Sequence, residues 1–377
     1  MSTSPDTRAW IRVRGDALRR NYRRIREAVG PNVAIIPMVK ADAYGLGVRD
    51  VVRALLPETP WGWGVATIDE GLTLRELGVT SPVIVCSPTF GPAIREALAA
   101  DLQLTLSSLE ALDAVVEAAA ATHEVARLHL DVDTGMGRTG FDWSRAREWL
   151  PRVLAVTGGA VEWAGCQTHL HSADEEEGSV REQCARLEEV LGLIGDRIPG
   201  LVVHLLNSAG ALRLPELAHA AVRPGIFLYG GMVGRGQPVP EPVVSVHARV
   251  AHVRDATPGT TLGYGATYRA RGPERWATLS IGYGDGLPRS LGNRGWALVC
   301  GRKVPIVGRI SMDMTVVDIT GVPDVRSGHV ATLLGSEGGE AITLDEVAEL
   351  AGTISYEVLT HLTRRLPRVW TGLDGGS

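Results

Sequence analysis

Eight short apolar runs, with longer amphipathic stretches between them, leave few folds open to this chain. The runs are Val33 to Val39, Trp63 to Ala66, Val83 to Cys86, Leu102 to Leu106, Ala126 to Val132, Val161 to Thr168, Leu201 to Leu206 and Ala221 to Arg223. Between them lie segments with helical spacing, among them Asp69 to Leu77, Gly91 to Ala100, Leu109 to Ala121, Trp143 to Val156 and Ser179 to Ile194. A strand without polar alternation is buried on both faces, the habit of parallel sheets, and helix-length links between such strands are right-handed crossovers. Eight units of this kind predict an α/β fold closed as a (β/α)8 TIM-type barrel over residues 1–238.

At Pro238 the texture changes. Pro238, Pro240 and Pro242 alternate with Val239 and Glu241, a spacing that forbids helix and marks a connection. Beyond it, β-rich runs are separated by Gly and Pro turns: Val243 to Val253, Ala277 to Ile281, Trp296 to Cys300, Val304 to Ile310, Thr315 to Ile319 and His329 to Leu334. Helical spacing returns only at Thr343 to Ala351 and Tyr356 to Leu362. A second, mainly antiparallel β domain is therefore expected over 239–377.

Within this frame one residue type stands out. The chain has 38 basic residues, and only Lys40 and Lys303 are lysine. Lys40 stands where the first buried strand should end. A guanidinium stays protonated and forms no imine with an aldehyde, whereas a lysine amine can act as nucleophile and later as base. The bland alternative is a snorkelling surface lysine. Further polar residues fall at the carboxyl ends of later strands, where barrel chemistry collects. Asp131, Asp133 and Arg138 follow the fifth strand, His169 and His171 the sixth, Asn207 and Ser208 the seventh, and Arg223, Gly225 and Ile226 the eighth. Ser208 offers a hydroxyl and Gly225-Ile226 backbone N–H groups to a phosphate. Singly, each has a structural reading: Ser208 as a helix cap, His169 as a bonded core histidine, Arg138 paired with Asp133.

A net charge of -5 argues against nucleic acid as the main partner. The one basic run, Arg19 to Arg26, reads as the wet face of a helix whose other side carries Leu18, Tyr22 and Ile25. Cys86, Cys166, Cys184 and Cys300 have no paired spacing, so neither zinc nor a disulfide framework is implied. Met1 to Thr7 carries no apolar run after a basic segment, and no stretch reaches the ~18 apolar residues a membrane span needs. A soluble, cytoplasmic protein is the expectation.

The lysine stretch resembles the pyridoxal-phosphate attachment motif of the alanine racemases. Further blocks resemble that family in the same order: Asp133 to Phe141, Thr168-His169, Asn207-Ser208-Ala209, Arg223 to Ile226, Gly263 to Tyr268, Ile281 to Gly286 and Ser311-Met312-Asp313. The resemblance implies a two-base racemase interconverting L- and D-alanine and supplying D-alanine for cell-wall peptidoglycan. Lys40 would hold pyridoxal 5'-phosphate as an imine and serve as one base, with Tyr264 as the other on the opposite face of the α-carbon. A phenol ordinarily keeps its proton to about pH 10, so a network including His169 and Arg223 would be needed for that role. Arg223 would face the pyridine nitrogen and, being unable to give up its proton, would discourage full quinonoid formation. Tyr44, Ser208, Gly225, Ile226 and Tyr356 match phosphate-binding positions. Arg138 and the Met312 N–H match those that receive the substrate carboxylate, Tyr283 lies near the substrate, and Asp313 supports.

The family's β domain closes the partner's barrel, which implies a head-to-tail homodimer in which Tyr264 and Met312 act in trans. Many members carry a carbamylated lysine where this chain has Asp131; Asp131 is expected to pair with Arg138, directly or through water. Ser311 and His171 fall near the mouth. Three alternatives stay open: a racemase of serine or of broader specificity, a decarboxylase of related fold, and a non-catalytic pyridoxal-phosphate-binding protein.

Overall fold

The computed structural model describes residues 5–373; Met1 to Ser4, the first part of the stretch read above for a secretory signal, lie outside the described residues. The eight expected strands are present as Ala34–Ile35, Trp63–Val65, Val83–Val85, Gln103–Leu106, Ala126–Asp133, Val161–Gln167, Val202–Asn207 and Ala221–Arg223. From Trp63–Val65 onward each pairs in parallel with the next, and Ala221–Arg223 returns to pair with Ala34–Ile35. The remaining gap is closed by a parallel bridge between Met38 and Gly64, where the Val39 N–H donates to Gly64 O (2.8 Å) and the Gly64 N–H to Pro37 O (3.0 Å). The first strand is short as a regular ladder because Pro37 brings no N–H to it. Its neighbours still bond on both sides, and the sheet curls into the expected barrel.

Apolar side chains make the barrel wall and the helix packing continuous. Val83, Ile84 and Val85 have no exposed surface, nor do Leu104, Leu106 and Leu128. Helix ends follow local chemistry. Thr67 caps Ile68–Glu76 in a reciprocal box with Glu70, and Ser108 caps Leu109–Thr122 through the Ala111 N–H. The helix Gly15–Val29 contains the basic run, but one expectation fails there. Arg19 is buried, not wet, because its guanidinium satisfies the carbonyls of Gly372 (2.8 Å), Leu373 and Ala54 (both 3.4 Å).

The second sheet is built on the long strand Val244–Ala256, and no helix or strand occupies 231–243 before it. Its main path runs Arg302–Pro305, Trp296–Val299, Val330–Glu337, Val244–Ala256, Ala9–Arg14, Arg368–Thr371. Every step is antiparallel except the last, and Glu274–Leu279 and Thr315–Asp318 extend it from the spine. Ala9–Arg14 thus belongs to this sheet, although it precedes the barrel in sequence. Ala9, Ile11 and Val13 face inward with at most 1% of their surface exposed; Trp10 on the other face is equally covered, so only Arg12 and Arg14 show the period-2 alternation. Among the described residues no helix is long and apolar enough to cross a membrane.

Candidate active site

A cavity of about 380 Å³ opens at the carboxyl ends of the barrel strands, within the range of small-molecule sites. Lys40, Tyr44, Asp131, Asp133, Arg138, His169, Asn207, Ser208, Arg223, Gly225, Ile226 and Tyr356 all line it. Residues scattered over more than 300 positions are gathered because each ends a barrel strand or begins the loop after one; Tyr356 instead reaches in from the helix Ser355–Thr360.

Lys40 opens a turn with unusual backbone geometry. Ala41, Asp42 and Ala43 hold φ/ψ near 54/49, 53/48 and 52/56, and Tyr44 has φ 56. This is a left-handed helical turn without a glycine inside it, a conformation that costs roughly 1–2 kcal/mol per L-residue. Neighbours hold it in place. Glu70 Oε1 accepts the Ala41 N–H (2.6 Å), Asp42 Oδ1 accepts the Val48 N–H (2.8 Å), and Gly45 continues the left-handed path at φ 80. The Tyr44 ring stacks on Tyr229 with centroids 4.5 Å apart, while the Tyr229 hydroxyl donates to Met38 O (2.8 Å). Strain kept by surrounding contacts is characteristic of functional positions. Here it turns Lys40 and Tyr44 toward one cavity.

The same cavity holds an anion cradle. Ser208 Oγ accepts the Gly225 N–H (2.8 Å) and the Phe227 N–H (3.4 Å). A Cβ on Gly225 would stand 2.1 Å from the Tyr44 hydroxyl oxygen, so only glycine fits. A phenol, a hydroxyl and backbone N–H groups converge there, a donor set suited to phosphate.

Arg223 is buried beneath the cavity floor and fully engaged on one side. One terminal nitrogen, NH1, donates to His204 Nδ1 and His204 O, both at 2.6 Å; the other, NH2, donates to Thr168 O at 2.8 Å. Five N–H groups less these three bonds leave Nε–H and one terminal hydrogen for the cavity. Burial pulls His169 down to about 3, helped by the charges of Arg223, Arg138 and Lys40, so its imidazole is neutral near pH 7. His204, which no sequence reading singled out, is the main partner of Arg223. Its signal was a histidine inside an apolar strand.

Of the two routes expected for Asp131, direct or through water, the direct one to Arg138 is not made. Its Oδ2 accepts Ser107 Oγ (3.0 Å) and Thr139 Oγ1 (3.1 Å), and Oδ1 accepts the Gln167 amide (3.3 Å). No hydrogen bond or ion pair joins it to Arg138 among the described residues. The short side chain keeps its oxygens in the barrel wall, where three donors satisfy them; burial nonetheless pushes its carboxyl up. Asp133 likewise accepts backbone N–H groups of Gly135 and Gly137 rather than Arg138. His171 is outside the cavity lining and bonds Ser172 Oγ (2.7 Å).

Tyr264, Tyr283, Met312 and Asp313 are not brought to this cavity within the chain. They lie in the β unit, with Tyr264 70%, Met312 53% and Tyr283 41% exposed. The turn Tyr283–Asp285 lies against Ser311-Met312: the Tyr283 N–H donates to Ser311 O (3.1 Å) and the Gly284 N–H to Met312 O (2.8 Å). Since a trans peptide points its N–H opposite to its carbonyl, the Met312 N–H is aimed away from that turn. Asp285, wholly buried, anchors the turn through Arg8 (3.0 and 2.5 Å) and the Gly282 N–H (3.0 Å). Arg365 bonds Asp313 at 2.6 Å.

Comparison with known proteins covers nearly the whole chain. Residues 13–233 match the family model "Alanine racemase, N-terminal domain" and residues 243–370 "Alanine racemase, C-terminal domain". An alanine racemase of Nostoc sp. is 37% identical over 377 residues, covering 96% of this chain and 95% of that protein. The solved alanine racemase of D-cycloserine-producing Streptomyces lavendulae superposes with a TM-score of 0.90 at 32% identity, over 98% of each chain. That of Bartonella henselae, which carries covalently bound pyridoxal phosphate, has a TM-score of 0.88 at 29% identity, over 97% of this chain and 100% of its own.

Proposed function

This chain belongs to the alanine racemase family, and from that premise we infer how its own residues interconvert L- and D-alanine. The cofactor is pyridoxal 5'-phosphate, and the residues at the cavity fit it: an amine at Lys40, a phosphate-type cradle at Gly225, and the guanidinium of Arg223 in the same lining. When bound, it supplies an aldehyde that condenses with amines and a ring that accepts electron density from the α-carbon.

Lys40 would hold the cofactor covalently, and its amine would take or return the α-proton on one face. Tyr44, Ser208, Gly225, Ile226 and Tyr356 bind the phosphate. Arg223, with N–H groups left over for the cavity, would hold the cofactor ring as a donor that does not give up its own proton. Arg138, with no partner of its own among the described residues, receives the substrate carboxylate together with the Met312 N–H. His169 is the neutral link between Arg223 and the phenol of Tyr264, the base for the second face; Tyr283 borders the substrate. Asp131 shapes the Asp133–Phe141 segment through Thr139 rather than through Arg138 itself, and Asp313 steadies Met312 through Arg365.

Tyr264, Tyr283 and Met312 reach a barrel mouth only by meeting another copy. We therefore read the enzyme as a head-to-tail homodimer with two shared sites; the exposure of these residues, away from their own cavity, supports this. The division at 238|239 is kept, with Ala9–Arg14 as the barrel chain's contribution to the β unit. A cytoplasmic protein supplying D-alanine for peptidoglycan is the setting we propose.

Conversion of L-alanine to D-alanine by the cofactor-loaded protein, with serine run in parallel, tests the reading. Faster turnover of serine would move the assignment to the broader racemase. In Tyr264→Phe, α-proton exchange with solvent should fall by 10²-fold or more for one enantiomer. Equal loss for both enantiomers would remove the two-face assignment.

A further inference from the structure

Beneath Arg223 the barrel interior holds polar residues that the mechanism above leaves unused. His204 Nε2 lies 2.8 Å from His129 Nδ1, and His129 Nε2 lies 2.7 Å from Gln103 Oε1. His129 and His204 have no exposed surface, Gln103 retains 8%, and the two rings meet edge-on with centroids 5.0 Å apart. The three residues come from three strands of the barrel, Gln103–Leu106 and Ala126–Asp133 side by side and Val202–Asn207 beyond Val161–Gln167. Gly165 on that intervening strand makes the meeting possible, because a Cβ there would fall 2.3 Å from His129 Nδ1.

The direction of every bond follows from one fact, that a guanidinium only donates. Arg223 donates to His204 Nδ1, so the single proton of neutral His204 is on Nε2. That proton points at His129 Nδ1, which must accept, so His129 also carries its proton on Nε2 and gives it to the Gln103 carbonyl. Burial, followed by the charge of Arg223, pushes both imidazoles down, His129 to about 3 and His204 well below its ordinary value. Both rings therefore remain neutral near pH 7. Bonds aligned in series polarise one another. The Gln103 oxygen is the terminal acceptor, and its pull makes His204 Nδ1 a better acceptor for Arg223.

We propose that Gln103 and His129 are positioning residues for racemisation: a one-way hydrogen-bond array, Arg223 to His204 to His129 to Gln103, fixes the tautomer of His204 and thereby the orientation of the guanidinium. This rests on the reading that Arg223 faces the cofactor ring. Neither residue touches substrate or cofactor. If the terminal acceptor is lost, the His129 proton is left unpaired in a dry interior, and both rings gain an alternative tautomer in which His204 no longer accepts from Arg223.

Neutron diffraction from deuterated crystals of the holoenzyme tests the array directly, with a deuteron expected on Nε2 of both His204 and His129 and none on either Nδ1. A deuteron on Nδ1 of either ring overturns the proposal. Gln103→Leu, of similar size, is expected to lower kcat for alanine roughly 10-fold, the scale on which partners behind a primary ligand act, with KM changed less than about 2-fold. The absorbance band of the bound cofactor should shift with it. A folded Gln103→Leu protein with unchanged kcat and spectrum also overturns the proposal. Should wild-type enzyme fail to racemise alanine, the functional reading falls, whereas the neutron result stands on its own.

Discussion

Gly225 is the residue where space and chemistry are most tightly linked. Any side chain there meets the Tyr44 hydroxyl at 2.1 Å, and Tyr44 cannot retreat because its ring is stacked 4.5 Å from Tyr229. Gly225→Ala should therefore raise the dissociation constant for pyridoxal 5'-phosphate by roughly 10-fold or more, about 1.4 kcal/mol, read by absorbance titration. Unchanged affinity would remove Gly225 from the cradle. At this scale the sequence was legible where a residue type is chemically singular. Lys40 stood out in an arginine-rich chain, and Gly225 beside Ser208 read as a phosphate loop. It was least legible where a residue's role depends on its partner. Asp131 carries the charge to meet Arg138, yet Ser107, Thr139 and Gln167 reach it instead.

Among the elements, the turn after Lys40 is the least favourable piece of backbone on its own, and its residue types hardly announce it. Residue-type rules put Ala41 to Tyr44 in right-handed or extended backbone, since none of the four is glycine. The left-handed turn exists because distant groups oppose its cost. Glu70, on the helix Ile68–Glu76, accepts the Ala41 N–H at 2.6 Å while capping that helix through Thr67. Glu70→Ala should leave that N–H without its acceptor, a loss of about 1–2 kcal/mol. Cofactor affinity should weaken several-fold, with little change in far-ultraviolet circular dichroism; unaltered affinity would mean that the turn holds itself. The strand Ala9–Arg14 escaped for a different reason. Its alternation shows only at Arg12 and Arg14, and its partners Val244–Ala256 and Arg368–Thr371 are hundreds of residues away. The barrel strands were readable because nearly all are buried runs followed by a helix, the exception being Ala221–Arg223, after which no helix comes before Val244–Ala256.

For the molecule as a whole, buried histidines set the acid limit. His129 and His169 are held at about 3 and His247 at about 4, in each case by burial first and then by a nearby arginine, with His204 also well below its ordinary value. An unfolded histidine takes its proton near pH ~6.5. Below that pH the unfolded chain binds protons that the native one refuses until about 3–4, so stability is full above ~6.5 and falls as pH drops through the window. Cofactor-free protein should take up about three to four protons on unfolding at pH 5, and its urea midpoint should fall from pH 6.5 to 4. A flat midpoint across that range would show these histidines protonated in the native state. Assembly is the other property at this scale. With Lys40 on the barrel and Tyr264 exposed on the β unit, the central claim is that one copy supplies the amine and its partner the phenol. Co-expression of Lys40→Ala with Tyr264→Phe tests it most directly. Each variant alone is inactive, but random pairing makes half the dimers mixed, and each mixed dimer has one site with both residues intact, so about a quarter of wild-type activity should return. If no activity returned although mixed dimers formed, Lys40 and Tyr264 would not meet across the interface, and the shared-site account would be contradicted.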